Sequence, residues 1–447
     1  MPSYLPDLAT QSVPRYTSYP TAAEFHDGVG PAEQRAALAA IAPGAPVSLY
    51  LHIPYCHEIC WYCGCNTGAI GRADRLSAYR TALEQEIDTV AAALRGRVSA
   101  IHFGGGSPNA LDPADFVALV ARLRDRFDCG DTLEIAAELD PRTLDARYAA
   151  ALAQAGVTRV SLGVQSFDAA TQARINRHQP LDLVRRVVGE LRAAGIARIN
   201  FDLLYGLPGQ DLEGVAATIA AALTMAPDRV ALFGYAHMPR LLPRQRMIDA
   251  ASLPDGAARF AQAMLGNALF VAAGYRAIGF DHFARPDDSL AYAAAERRLR
   301  RNFQGFTDET ATAIIGLGAS AISQYAGLLV QNEKHVGRYR LRAANGGLAG
   351  VRGIARSADD RLRGAVIERL LCDETVDLAE IAAQHATPVA PLAAALPDLA
   401  PLAERGLVRI SGTRLTLLPA GRPYGRIVAA YFDRYRAPQA QRFSRAI

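Results

Sequence analysis

SLYLHIPYCHEICWYCGCNT, residues 48–67, is a short apolar run that passes straight into four cysteines, Cys56, Cys60, Cys63 and Cys65. The first three are spaced C-x3-C-x2-C. Three thiolates this close can each take one iron of a [4Fe-4S] cube and leave the fourth iron open, which suits a cluster that binds a ligand rather than only passing electrons. Disulfides are disfavoured, because the sequence shows no secretory leader and four thiols within ten residues read as metal ligands rather than as a staple across a long loop. Structural zinc is disfavoured too, since such sites usually join two Cys pairs from separate segments, and no second pair or His-x3-His partner follows. Cys65 lies beyond the three-ligand set and on its own reads as a buried or substrate-facing thiol. Cys129 and Cys372 stand alone as unpaired thiols.

The chain has 447 residues, too many for one ordinary core, so a large domain with smaller additions is expected. Half of the residues are hydrophobic, yet no run approaches the roughly eighteen uncharged apolar residues of a membrane span, and MPSYLPDLATQ lacks the basic and apolar blocks of a signal peptide. A cytoplasmic protein is expected. The net charge of +4 is mild and the basic residues are dispersed, which does not indicate nucleic acid. Lys334 is the only lysine, a bias that genome composition explains as readily as function, although arginine does offer a planar fork for carboxylates.

From residue 47 the runs VSLYLHI, VSAIHF, LEIAAEL, RVSLGVQ, RINFDLLY and RVALFGYA read as strands separated by Ala/Leu/Arg-rich helices. Strands alternating with helices imply a parallel sheet with right-handed crossovers. Six units fall two short of a full eight-fold barrel, so the fold class is α/β, an open partial (β/α)6 barrel. In such barrels the chemistry gathers at the carboxyl ends of the strands. Those ends carry Gly105, Gly106 and Ser107, then Glu138, Gln165 and Asp202. Singly each reads as a turn or a cap; together they offer the acceptors that a ribose and an ammonium group require.

Around this body, residues 1–36 form an arm containing PRYTSYPTA, residues 37–330 the catalytic domain, and residues 331–447 a mostly helical domain. In the arm, Arg15, Tyr16 and Tyr19 either pack on another surface or cover a site from above. GFDHFARPDDSLA, Gly279 to Ala291, is either a turn and a helix capped by Asp281 and Asp287, or a segment that helps order a substrate with His282 and Arg285. In NFQGF, Gln304 is placed nearest the site. Three short amphipathic helices followed by the hairpin LVRISGTRLTLLPAG describe a winged-helix-like unit, and the absence of a basic recognition helix favours a structural cover over DNA binding.

The cysteine spacing after LYLHIP resembles the signature of the radical S-adenosylmethionine (SAM) enzymes. Across the whole chain, PRYTSYPTA, HIPYCHEICWYCGCN, HFGGGSP, GVQSF, DLLYGLP, YAHMP, GFDHFARPDD, NFQGF and GASAIS resemble the oxygen-independent coproporphyrinogen III oxidase (dehydrogenase) family. The three-cysteine core is shared by a vast superfamily, whereas Cys65, the arm and DHFARPDD are much more specific. The resemblance implies a [4Fe-4S] cluster on Cys56, Cys60 and Cys63 and two bound SAM molecules. Tyr50, Gly105, Glu138 and Ile322 would contact the SAM on the cluster; Tyr62, Gly106, Ser107, Gln165, Arg177, Asp202 and Ala236 would line the second. Tyr62 stands where the family usually has Phe, and Ser107 where Thr is common. Cys65, Tyr50 and Gln304 would be catalytic. The implied reaction converts the ring A and B propionates of coproporphyrinogen III to vinyl groups: an adenosyl radical takes a hydrogen from the propionate β-carbon, carbon dioxide leaves, and one electron passes to an acceptor. A one-electron reductant such as flavodoxin or ferredoxin, an unknown acceptor and a monomeric enzyme are expected with it. Two relatives share the core: a heme-binding chaperone, which typically carries Phe where Cys65 stands and lacks the arm, and a heme-degrading methyltransferase.

Overall fold

The computed structural model describes residues 2–71, 73–436 and 443–446. The six expected strands are present as β1 (Pro46–Ile53), β2 (Arg97–Gly105), β3 (Cys129–Leu139), β4 (Arg159–Gln165), β5 (Arg198–Tyr205) and β6 (Arg229–Gly234). They lie side by side in chain order, all parallel. The sheet then extends on both sides. Beyond β6 come β7 (Arg276–Ile278) and β8 (His282–Ala284), with β8 antiparallel to both neighbours. Beyond β1 lies β9 (Ala313–Leu317), a seventh parallel strand, followed by the antiparallel strands β10 (Ile322–Gln324), β11 (Leu328–Asn332) and β12 (Gly350–Ala355). The end strands β7 and β12 do not pair with each other, so the barrel stays open. Because β12 hydrogen-bonds to β11, the sheet runs past residue 330, into the segment that the sequence reading assigned to the tail.

The helices form where side chains supply the groups that helix ends need. Asp112, Asp145 and Asp211 each accept a backbone N–H at the start of the helices Pro113–Arg126, Ala146–Gln154 and Leu212–Leu223, each such cap contributing about 1 kcal/mol. Leu181–Ala193 buries Val184, Val187, Val188 and Leu191, the stripe of a helix laid on a sheet. Strand alternation does the complementary sorting. Leu49, Leu51 and Ile53 of β1 enter the core beneath the helices, while Tyr50 and His52 point to the other face and line a cavity.

A second core joins the arm to the tail. Leu8, Val13, Tyr16 and Tyr19 pack with Leu362, Val366, Leu370, Tyr424 and Phe432. The Tyr16 hydroxyl donates to Asp433 Oδ2 at 3.0 Å, and Tyr19 Oη accepts the Arg434 N–H at 2.9 Å. Both tyrosines therefore pack against the tail, and on their other side they line a cavity with Arg300, Arg301 and Gln324. The tail includes helices Ala358–Asp373, Leu378–Gln384, Ala400–Glu404 and Gly425–Ala429 and a three-stranded sheet of Thr375–Asp377, Val408–Ser411 and Arg414–Leu417. In the segment from Gly279, Asp288 caps the helix Ser289–Ala295; Asp281 instead pairs with His282 Nδ1 at 2.7 Å, and Asp287 with Arg285 at 3.2 Å. The expected pair of caps was thus displaced by a neighbour one residue nearer the helix. Among the described residues no helix is long and apolar enough to cross a membrane.

Candidate active site

The chain leaves β1 at Ile53 and enters a two-residue strand, Tyr55–Cys56, which pairs in parallel with Gly68–Ala69. Between them a loop carries the other three cysteines of the motif. Its backbone is pinned from several sides: Trp61 N–H donates to Ile175 O at 3.0 Å, Asn176 Nδ2 to Ile59 O at 2.9 Å, Gln245 Nε2 to Tyr62 O at 2.8 Å and Arg244 Nη2 to Thr67 O at 2.8 Å. A loop held at this many points presents its thiols with little conformational freedom left to lose on binding.

Guanidinium groups act on Cys60 and Cys63, whereas burial pushes the Cys56 thiol up to about 11. Arg142 Nη2 and Arg177 Nη1 donate to Cys60 Sγ at 3.5 and 3.3 Å, and Thr67 Oγ1 lies 3.2 Å from Cys56 Sγ. Cys65 N–H donates to Cys63 Sγ at 3.4 Å. The hydrogen bond from the Cys65 thiol, with help from Arg244 and Arg177, holds the Cys63 thiol down at about 6, despite its burial. Cys65 itself is pushed up, first by that hydrogen bond and by the negative charge of Cys63. Thiolate is the form that ligates iron, and none of the six cysteines is in a disulfide. No three His, Cys, Asp or Glu side chains among the described residues converge on the position of a single ion; a cube makes no such demand, because each sulfur takes a different corner. The donor set, all thiol and backed by guanidinium groups, fits a [4Fe-4S] cluster on Cys56, Cys60 and Cys63.

One cavity brings most of the expected residues together. Cys56, Cys60, Tyr62, Cys63, Cys65, Gly105, Gly106, Glu138, Gln165, Arg177 and Asp202 all line it. Glu138 also lines an adjoining cavity with Tyr50, Gln304 and Ile322, and a third, on the inner face of the sheet, with Asp202, His282 and Gln304. Two residues fall outside this arrangement. Ser107 is buried, its hydroxyl donating to Asn109 Oδ1 and its N–H to Tyr55 O, so its polar groups serve the fold of the turn. Ala236 lines a separate cavity bounded by Arg15, Arg259 and Arg426.

Electrostatics separate the carboxylates. Burial alone would raise Glu138, but the His102 Nε2 contact at 2.9 Å and its charge hold it below the usual range. Asp202 accepts from Ser161 Oγ at 2.8 Å and Asn200 Nδ2 at 2.9 Å, and burial, then the charge of Glu138, lifts it to about 6. Asp140 goes the other way: against the effect of burial, Arg177 and Arg142 lower it to about 2, with Arg142 Nη2 at 2.6 Å. Asp140, Arg142, His102, Ser161 and Asn200 were absent from the sequence reading. The signal available was ELDPR at the end of β3, whose two acids flank the strand terminus. Gln165, at the end of β4, holds φ at +65°, a conformation that costs a non-glycine residue about 1–3 kcal/mol and is found where a site demands it.

The glycines after β2 have a steric reason. Gly105 has φ +113°, and a Cβ there would lie 2.9 Å from the His52 ring; at Gly106 a Cβ would meet Thr67 Oγ1 at 2.3 Å and Tyr55 O at 2.6 Å. Gly106 thus lets the cysteine loop close against the sheet. Gly106→Ala is expected to displace the Cys56 strand and cut iron incorporation about tenfold or more, comparable to losing an outer-shell partner of a metal ligand. Iron content after anaerobic reconstitution checks it; normal iron would show that the loop tolerates the added carbon.

Comparisons with known proteins agree with this geometry. Residues 50–222 match the radical SAM superfamily, and residues 357–424 the HemN C-terminal domain. The oxygen-independent coproporphyrinogen III oxidase of Bradyrhizobium diazoefficiens is 46% identical over 440 residues, 98% of each chain. That of Escherichia coli is 40% identical over 98% of this chain and 96% of its own. The solved structure of the Escherichia coli coproporphyrinogen III oxidase (HemN), described as a radical SAM enzyme, superposes with a TM-score of 0.89 at 37% identity, covering 95% of this chain and all of that one. With such coverage from arm to tail, and a cysteine loop built to hold a cluster, the chain belongs to the oxygen-independent coproporphyrinogen III oxidase family of radical SAM enzymes.

Proposed function

We propose that this protein catalyses the oxidative decarboxylation of coproporphyrinogen III to protoporphyrinogen IX, converting the ring A and B propionates to vinyl groups. The observation that carries the reading is the single cavity in which three cluster-type cysteines meet Glu138, Gln165, Arg177 and Asp202. When bound, the cluster and SAM supply the radical that removes hydrogen from an unactivated carbon. The protein contributes binding, orientation and exclusion of water. Cys56, Cys60 and Cys63 hold the iron. Glu138, ionised and fixed by His102, and Asp202, beside Ser161 and Asn200, accept hydrogen bonds from the ammonium and ribose groups of the adenosyl ligand. Two SAM molecules, a flavodoxin- or ferredoxin-type electron donor, a separate electron acceptor and a monomeric enzyme belong to the same proposal. So does a division into arm, catalytic body and helical cover, with the second boundary drawn after β12.

The decisive experiment is anaerobic incubation of reconstituted protein with SAM, a reductant and coproporphyrinogen III, followed by product analysis. Release of two carbon dioxide per protoporphyrinogen is the expected result. A methylated or ring-opened product, or tetrapyrrole binding without turnover, would point to the methyltransferase or the chaperone instead.

Cys65 provides a sharper test of roles. It lies in the cavity, one residue beyond Gly64 and next to the Cys63 sulfur. Cys65→Ser is expected to keep the cluster absorbance and iron content while turnover falls by about two orders of magnitude, the scale of a positioned group at a reacting centre. Loss of iron in step with turnover would make Cys65 a ligand.

A further inference from the structure

Ala236 marks a cavity of about 400 Å³ that lies where arm, sheet and tail meet. Four arginines line it, three of them from different parts of the chain: Arg15 from the arm, Arg259 from the helix Gly256–Ala272, and Arg426 from the tail, with Arg445 the fourth. Arg15 and Arg259 each have one main-chain anchor, and Arg426 has two, the carbonyls of Arg445 and Ala446. Arg15 Nη2 donates to Gly234 O at 2.7 Å, Arg259 Nη1 to Gly206 O at 3.4 Å, and Arg426 Nη2 to Ala446 O. Each also lies 5.7 Å from an aromatic ring, those of Phe233, Tyr205 and Phe280 respectively.

A purely structural role would explain these anchors, as staples between segments. It does not explain the charge. A guanidinium has five N–H donors, and Arg426 Nη1 is buried with no partner. The two acids that line the cavity are committed elsewhere: Asp255 Oδ1 accepts the Ala258 N–H at 2.8 Å, and Asp281 Oδ1 pairs with His282. Among the described residues none of the three arginines forms an ion pair with a carboxylate. Burial, and then the charge of Arg15, lowers both Arg259 and Arg426, the latter to about 10. Asp281 is near enough to act on Arg15 and Arg426, but one such carboxylate against several partly buried guanidinium groups leaves an excess of positive charge, which a bound anion would offset.

The cavity is also placed beside the chemistry. Asp281 lines it, whereas His282, the next residue, lines the cavity on the inner face of the sheet with Gln304 and with Glu138 and Asp202, which also line the cysteine cavity. Phe233 likewise carries Arg15 on its ring while facing that second cavity.

We infer that this cavity is an anchoring site for carboxylate groups of the tetrapyrrole, with Arg15, Arg259 and Arg426 as the guanidinium clamp. The inference rests on the proposed function for the identity of the ligand. Bidentate guanidinium–carboxylate pairs fix orientation as well as affinity, so the site would set which edge of a polycarboxylate macrocycle faces the cysteines. Because one of the three clamping groups comes from the arm and another from the tail, the site exists only when both are docked.

The test uses the reconstituted full chain and coproporphyrin III, the oxidised, unreactive form of the substrate, with binding read by fluorescence. Its tetramethyl ester is the uncharged control. Wild type is expected to prefer the free acid, and Arg15→Gln, Arg259→Gln and Arg426→Gln each to weaken it by about tenfold or more, the effect of losing a charge-assisted hydrogen bond. Iron content and circular dichroism monitor folding. Should Arg426→Gln fail to fold, Arg15→Gln and Arg259→Gln decide the matter. Unchanged porphyrin affinity in folded variants overturns the inference. So does a loss of bound SAM with porphyrin affinity intact, which would assign the arginines to the carboxylate of a second SAM. Arginine-dependent binding without vinyl product in wild type would keep the anion site and remove the functional reading; vinyl product with arginine-independent binding would do the opposite.

Discussion

Cys60→Ala is expected to abolish iron binding and SAM cleavage together, leaving turnover at background. Cys60 is the most buried cysteine of the motif, 6% exposed, and the one that receives both Arg142 and Arg177. Removing its sulfur would delete one of the three proposed iron ligands and leave two guanidinium groups facing a methyl. Loss of an outer-shell partner typically costs about 10–100-fold in metal affinity, and loss of a ligand costs more. Arg142→Gln therefore serves as the graded comparison: weaker iron retention, with the cluster still formed at high iron and sulfide. Iron and sulfide content after anaerobic reconstitution, with methionine release from SAM, separates the two variants. A full iron complement and SAM cleavage in Cys60→Ala would show that the ligand set is wrong.

What the sequence revealed, and what it did not, follows from the range of the interactions. Strand runs and the cysteine spacing are local patterns, so β1 to β6 and the metal loop could be read directly. Asp202 and Glu138 could be read as a constellation because barrel topology places successive strand ends together. β9 escaped, since Ala313–Leu317 is five apolar residues with no long helix before it, and such a run does not declare a strand by periodicity. The Asp140–Arg142–Arg177 cluster escaped for a different reason. Its members are up to 37 residues apart, and acids and arginines are common in solvated loops, so only tertiary placement distinguishes this set. The clamp of Arg15, Arg259 and Arg426 is an extreme case, assembled from three segments with no shared motif. For Tyr16 and Tyr19 the sequence leaves packing and covering a site both open, since aromatic residues in a proline-rich arm suit either; their hydroxyl hydrogen bonds and the tail's apolar core supply the packing contacts.

That division within the arm sets the expected result of deleting residues 1–30. Leu8, Val13, Tyr16 and Tyr19 are at most 5% exposed, and burying side chains of this size stabilises by about 1.5–3 kcal/mol each. Four of them amount to roughly 6–12 kcal/mol, an upper estimate, yet comparable to the whole stability of a typical domain, about 5–15 kcal/mol. The tail should therefore melt at a much lower temperature in the truncated chain, whereas the cysteine loop, whose anchors are Ile175, Asn176, Arg244 and Gln245, should still take up iron. Coproporphyrinogen turnover should vanish, because both Arg15 and the docked position of Arg426 are lost. Arg15→Gln separates the two causes: it removes one guanidinium from the cavity and leaves the four apolar contacts in place, so the melting temperature should stay close to wild type while porphyrin affinity falls. Calorimetry, iron content and turnover on both proteins give the answer. A truncated chain that melts like wild type would refute the packing role of the arm, and one that turns over coproporphyrinogen normally would show that neither Arg15 nor a firmly docked tail is needed for the reaction.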